Sequence, residues 1–137
     1  MLIRWEEKFA TGNALVDAQH RTLFDAVNAF DTAVQSGVAA SQISKLLQFL
    51  DEYSQEHFAC EEFLMLRAEF PRLPLHQQEH ASLVSRVKFL KELRETDSSM
   101  VPVHGVASFL ANWLENHILR WDMEFFDYIR DYPIDEP

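Results

Sequence analysis

The chain has 137 residues, enough for one domain with its own core, and its 47% hydrophobic and 25% charged content is that of a folded globular protein. A formal net charge of -10 leaves no basic stripe to neutralise nucleic-acid phosphates and disfavours anionic membrane surfaces, so neither nucleic acid nor membrane is an expected partner. No apolar run approaches the roughly 18 residues that span a bilayer, the charged start MLIRWEEKFA lacks a signal peptide's apolar centre, and the single Cys60 excludes an internal disulfide, so a cytoplasmic protein is expected.

Residues 1–13 form a mixed, aromatic arm with Trp5 and Phe9, and Thr11-Gly12-Asn13 has the composition of a turn entering a helix. Four helical patterns follow over residues 14–131, each marked by apolar residues recurring at three and four positions. The first, 14–36, buries Val16, Leu23, Phe24, Val27 and Phe30 or Val34, with Gly37 suited to its C-terminal cap. The second, 42–67, starts after Ser41 as N-cap, places Leu46, Leu50, Tyr53 and Leu64 on one side, and is broken by Phe70-Pro71. Pro74 fits the first turn of the third, which runs to about Glu95 through Leu83, Val84, Val87 and Leu90. After a loop at 96–99, Pro102 opens the fourth, which reaches about Asp131 before Pro133, and residues 132–137 are a tail. With only three glycines and short connections, the expectation is an all-α, up-down-up-down antiparallel four-helix bundle forming one domain.

The histidines do not fit a plain bundle. Residues four apart in a helix differ by about 40° of rotation and about 6 Å of rise. In PLHQQEH, His76 and His80 therefore share a face, the one continued by Leu83, Val84 and Val87. His20 lies on the stripe of Val16, Leu23 and Phe24. His57 follows Tyr53 by four and precedes Glu61 by four, and His117 follows Trp113 by four. One inward histidine is most often a hydrogen-bonded core residue. Every helix carrying at least one is hard to explain as packing. His104, about 220° around the helix from His117, faces elsewhere and reads as ordinary.

A carboxylate on such a face, with no Lys or Arg on the matching stripes, costs several kcal/mol in order of magnitude unless it is protonated or paired with a cation. Neutral imidazoles do not supply that charge, whereas a metal ion does. Five imidazoles and two carboxylates exceed what one tetrahedral ion takes up, and carboxylates bridge, so the count suggests two ions. Helical geometry leaves the fourth helix's carboxylate open. Asp122, five after His117, is rotated by about 140°, while Glu124 shares the face of His117 but lies about two turns away. Cys60 and Met65, beside Glu61, read as packing.

Taken together, DAQH at 17–20, H-x-x-x-E at 57–61, H-x-x-x-H at 76–80 and H-x-x-x-x-D at 117–122 resemble the hemerythrin family, most closely its single-domain bacterial branch. The resemblance covers nearly the whole chain, arm included. It implies two iron ions, one held by His76, His80 and His117 and the other by His20 and His57. Glu61 and Asp122 would bridge them together with an oxo or hydroxo group, which selects Asp122 over Glu124. The second iron would keep an open position for O2. Imidazole and carboxylate also accept zinc, so the choice of iron comes from the resemblance. Ferritin-like di-iron proteins fit poorly, because no Glu lies three before any histidine.

The function implied is reversible O2 binding for storage, transport or delivery to an oxygen-using enzyme. A reversible carrier needs an apolar pocket, and Leu23, Phe58, Trp113, Leu114 and Ile118 are near enough to the ligands in sequence to form it, although each is equally well explained as core. No nucleophile paired with a base, phosphate loop or nucleotide fingerprint is present, so an oxygen-binding protein is expected rather than an enzyme. The competing readings are an O2 or redox sensor acting on a signalling partner, and a di-iron oxidoreductase acting on peroxide or nitric oxide. Storage of iron or zinc fits least, with only two metal positions. The charged helix surfaces suit a monomer.

Overall fold

The computed structural model describes residues 2–37, 40–96 and 103–131, apart from the side chains at 40–42, 96, 103, 104 and 131. The Ser41 cap, the loop after Thr96, the roles of Pro102 and Pro133, the outward face of His104 and the 132–137 tail lie outside the described residues. Four long helical rods make up the fold: α1 (Ala14–Gln35), α2 (Ala40–Arg67), α3 (Leu73–Thr96), and a fourth built of α4 (Val103–Asn116), a π-helical segment (His117–Asp122) and α5 (Met123–Asp131). Asn116 and Met123, which flank the π segment, both keep right-handed helical dihedrals, so the fourth rod is continuous. Helix α1 packs on α2 and on α4, and α2 packs on α3, as expected of an antiparallel bundle.

Each end has a local cause. Asn13 caps α1, its side-chain oxygen accepting from the Val16 N–H at 3.0 Å, and Asp17 accepts from both the backbone N–H and the hydroxyl of Thr11. Gly12 precedes the cap at φ +91°, and Gly37 follows α1 at φ +66°, where a side chain would be strained. Helix α2 closes with the Phe70 N–H donating to the Met65 carbonyl at 3.0 Å, which puts Glu69 in the left-handed region at φ 53°. Leu73 begins α3 two residues after Pro71, so Pro74 occupies its first turn as expected.

The first-helix stripe is buried as the periodicity predicts, with Val34 only partly covered. In α2 the stripe is rotated. The buried line is Ile43, Leu47, Leu50, Ser54, Phe58 and Met65, while Leu46, Tyr53 and Leu64 flank it half-buried. Two apolar residues at adjacent positions, such as Leu46 and Leu47, fit a 3.6-residue period equally well, and only the neighbouring helices choose between them. Asn28 anchors the start of the arm: it accepts from the N–H groups of Leu2 and Ile3 and donates to the Ile3 carbonyl at 2.7 Å. Trp5 then reaches Phe9 and Phe24, which meet edge to face with centroids 5.1 Å apart. Two apolar clusters result, a large one spanning the bundle and a smaller one around Val16, Met65, Phe70 and Phe125. On α1 and α3 the inward histidines, His20, His76 and His80, lie between the two clusters in sequence.

Candidate metal centre

His20, His57, Glu61, His76, His80, His117 and Asp122 are all buried, and their ligand atoms fall into two overlapping groups. Glu61, His76, His80, His117 and Asp122 form one, and His20, His57, Glu61 and Asp122 the other, with the atoms of each group within 4.8 Å of one another. Cys60 belongs to neither group, and Met65 packs in the smaller apolar cluster.

The two carboxylates each divide their oxygens between the groups. Glu61 Oε2 lies 3.3 Å from both His20 Nε2 and His57 Nε2, while its Oε1 lies 3.2 Å from His80 Nε2 and 3.7 Å from His117 Nε2. Asp122 Oδ1 is 3.1 Å from His76 Nε2 and 3.0 Å from His117 Nε2, and its Oδ2 is 3.0 Å from His20 Nε2. A carboxylate that bridges two cations has this arrangement.

Asp122 reaches the cluster because the fourth rod is π-helical from His117 to Asp122. Hydrogen bonding from i to i+5 widens the turn, bringing residues five apart towards one face. The 140° offset of a regular α-helix does not apply there. Glu124 instead pairs with Arg72 at 2.6 Å on the surface.

Charge and hydrogen bonding test whether cations fit here. Among the described residues no Lys or Arg is buried, so Glu61 and Asp122 have only imidazoles for counterions. Burial works against a charged imidazole. Hydrogen bonds and the negative potential of Asp122 and Glu61 outweigh it, raising His20 to about 9 and His117 to about 10. Burial likewise opposes ionisation of the two carboxyls, and at Asp122 the charge of Glu61 adds to that opposition. The surrounding imidazoles still hold both below their ordinary range. Protons on His20 and His117 thus do the work of cations in the metal-free chain. Even so, His57 Nε2 and Glu61 Oε1 are buried without a hydrogen-bond partner, although neighbouring ligand atoms lie within 3.7 Å. Converging lone pairs that cannot bond one another are what a metal site requires. The residues present fit a pair of divalent or trivalent ions.

Residues outside the expected set orient the rings. Glu62 Oε2 lies 2.7 Å from His80 Nδ1, and Gln19 Oε1 lies 2.7 Å from His57 Nδ1. Both oxygens accept, so each Nδ1 carries the proton and each Nε2 turns its lone pair to the cluster. Gln19 and Glu62 follow no apolar period; their only sequence signal is adjacency to His20 and Glu61. Stacked rings add to this: Phe58 lies on His80 with centroids 3.9 Å apart and planes at 6°, and Trp113 on His117 at 4.5 Å and 10°.

A cavity of about 20 Å³ lies within the bundle. Leu23, Phe58, Trp113 and Leu114 line it, joined by Ser54, Leu83 and Leu110 among others, while Ile118 is fully buried in the core and is not part of the lining. Leu23 and Leu83 lie one turn after His20 and His80, and Ser54 and Leu114 one turn before His57 and His117. In an antiparallel bundle those positions fall on the same side of the cluster. One hydroxyl among apolar walls is too few polar partners to hold a water, so the cavity suits a small apolar molecule.

A family profile described as "Hemerythrin HHE cation binding domain" matches residues 11–129. The chain is similar to a bacteriohemerythrin of Clostridium acetobutylicum, 26% identical over 127 residues that cover 90% of this chain and 98% of the relative. It is 30% identical to a hemerythrin-like protein of Naegleria gruberi over 121 residues, 88% of each chain. A solved structure described as "Crystal structure of hemerythrin:wild-type" superposes with a TM-score of 0.84 at 28% identity, covering 93% of this chain and 97% of that one.

Proposed function

Because the chain belongs to the hemerythrin family, a family that binds a di-iron centre, we propose that residues 1–137 form one such domain and that it binds O2 reversibly at two iron ions, for storage, transport or delivery. In this reading His76, His80 and His117 would hold one ion and His20 and His57 the other, with Glu61 and Asp122, together with an oxo or hydroxo group, shared between them. The observation that carries it is the split of carboxylate oxygens: Glu61 and Asp122 each turn one oxygen to the three-histidine group and one to the two-histidine group. A ferrous pair bound there supplies two electrons to O2 and recovers them on its release.

The protein's own part is to orient, to exclude water and to leave one place open. Glu62 and Gln19 hold His80 and His57 with Nε2 inward. Phe58 and Trp113 cover two rings of the three-histidine group, while His20 and His57 meet each other edge to face. The two-histidine end thus has fewer side chains to hold an ion, and an ion bound there would be the one left free to meet O2. The apolar cavity beside the cluster would take a diatomic gas and offers water few polar partners. Among the described residues no helix is long and apolar enough to cross a membrane. The role is that of an O2-binding protein rather than an enzyme.

Metal analysis with visible spectra of the reduced, oxygenated and deoxygenated protein tests this. Two irons per chain and a charge-transfer band that appears with O2 and disappears on its removal are expected. Two zinc ions and no iron would sink the reading, and prompt irreversible oxidation would move the assignment to sensing or redox chemistry.

A further inference from the structure

The inward imidazoles differ in what their outer nitrogens meet. In the three-histidine group, His80 Nδ1 is backed by the carboxylate of Glu62, and His117 Nδ1 faces Glu79 Oε1 at 4.0 Å. Gln77 steadies Glu62, its Nε2 lying 3.2 Å from Oε1. In the two-histidine group, His57 Nδ1 is backed by the neutral amide of Gln19, while the Nδ1 atoms of His20 and, in the other group, of His76 and His117 are buried without a hydrogen-bond partner. The side chains of Glu62 and Glu79 are each only 26% exposed, so water screens their charge incompletely.

Gln19 and Glu62 make the same hydrogen bond at the same distance, yet only one of them is charged. An amide orients the ring. A carboxylate also raises the basicity of the imidazole and adds a negative charge behind it, and both effects tighten a cation on the far nitrogen. The hydrogen bonds behind His57 and His80 are thus matched in geometry and unmatched in charge.

We propose that Glu62 is a positioning residue whose charge strengthens the three-histidine end as a cation site, and that the neutral Gln19 leaves the two-histidine end the weaker one. Glu61 and Glu62 are successive residues of α2, so one turn of helix supplies both the shared carboxylate and the one behind His80. Three imidazoles against two already favour the same end; the carboxylate adds to that difference, and filling becomes ordered, the three-histidine end first. The inference rests on the reading of the cluster as a two-cation site.

Titration of the metal-free protein with Co(II) against a competing chelator tests it, followed by calorimetry and visible absorption. Wild type takes up two ions in two phases. Glu62→Gln keeps an acceptor for the His80 N–H, and weakens the tighter phase by about tenfold with the looser phase unchanged. Gln19→Glu is the mirror variant and tightens the looser phase by about tenfold. Wild-type values for both phases in both variants overturn the role of charge. Equal weakening of both phases in Glu62→Gln overturns it in favour of a structural role. Should Glu62→Gln fail to fold, an unchanged looser phase in Gln19→Glu overturns the proposal by itself. Fewer than two ions in wild type defeats the two-cation reading, and the inference with it.

Discussion

Asp122 follows His117 by five residues, yet its Oδ1 lies 3.0 Å from His117 Nε2 and its Oδ2 the same distance from His20 Nε2 on the neighbouring α1. A regular α-helix turns such a residue away, and the π segment at 117–122 turns it in. One local widening of the fourth rod therefore completes both halves of the cluster.

Asp122→Asn keeps the shape of the side chain and removes its charge from both cation positions. Bound metal should fall from about two ions per chain to about one or fewer, since affinity at such sites depends on deprotonated ligands. Glu124→Gln, which alters only the surface pair with Arg72, should leave metal content unchanged. Metal analysis after gel filtration compares the two. Equal losses would undo the assignment of Asp122.

The metal-free protein should show a stability optimum in mildly acidic solution. His20 and His117 are raised from 6.5 to about 9 and about 10, so their contribution is fully present below pH 6.5 and lost as pH rises through 9 and 10. Glu61 and Asp122 are lowered from 4.5 and 3.8, so their contribution is present above about pH 4.5 and lost below it. Urea midpoints should therefore be highest between about pH 4.5 and 6.5 and fall towards pH 10. Metal affinity should move the opposite way over the alkaline range, because bound imidazoles must be neutral. A metal-free midpoint that rises from pH 6.5 to 9 contradicts this.

Filling the cavity should separate metal retention from gas binding. Leu83→Phe projects a larger ring into a space of about 20 Å³, at a cost of about 1–3 kcal/mol for overpacking. Two irons should remain, while O2 affinity falls by about tenfold, equivalent to about 1.4 kcal/mol. Iron analysis and oxygen titration on one preparation measure both. Unchanged affinity would show that O2 does not use this cavity.

The arm depends on Asn28, which makes hydrogen bonds to Leu2 and Ile3 from the middle of α1. Asn28→Ala should destabilise the fold by about 1–3 kcal/mol and shift Trp5 emission to longer wavelength as the indole leaves Phe9 and Phe24. Metal content should be unaffected, since no ligand lies in the arm. Loss of metal with the arm would mean that Trp5 supports the cluster through Phe24 and α1.

Much of this protein is legible in its sequence, because the helix period converts spacing directly into direction. The H-x-x-x-E and H-x-x-x-H pairs and the isolated His20 and His117 face inward by rotation alone, and the structure gathers the five rings with Glu61. The rotated stripe of α2 shows the limit of that reasoning. Leu46 and Leu47 satisfy the period equally, and contact with α1 and α3 decides which one is buried.

From its sequence alone the chain determined how many helices it forms, where most of them begin and end, and which imidazoles look into the bundle, since those properties depend on interactions within a few residues. Tertiary structure decided the rest: the π turn that brings Asp122 inward, the division of carboxylate oxygens between two sets of histidines, and the backing of His80 by Glu62 and of His57 by Gln19. The contacts between helices join residues from 18 to more than 40 positions apart. They depend on the distance and rotation between packed helices, which no single helix encodes.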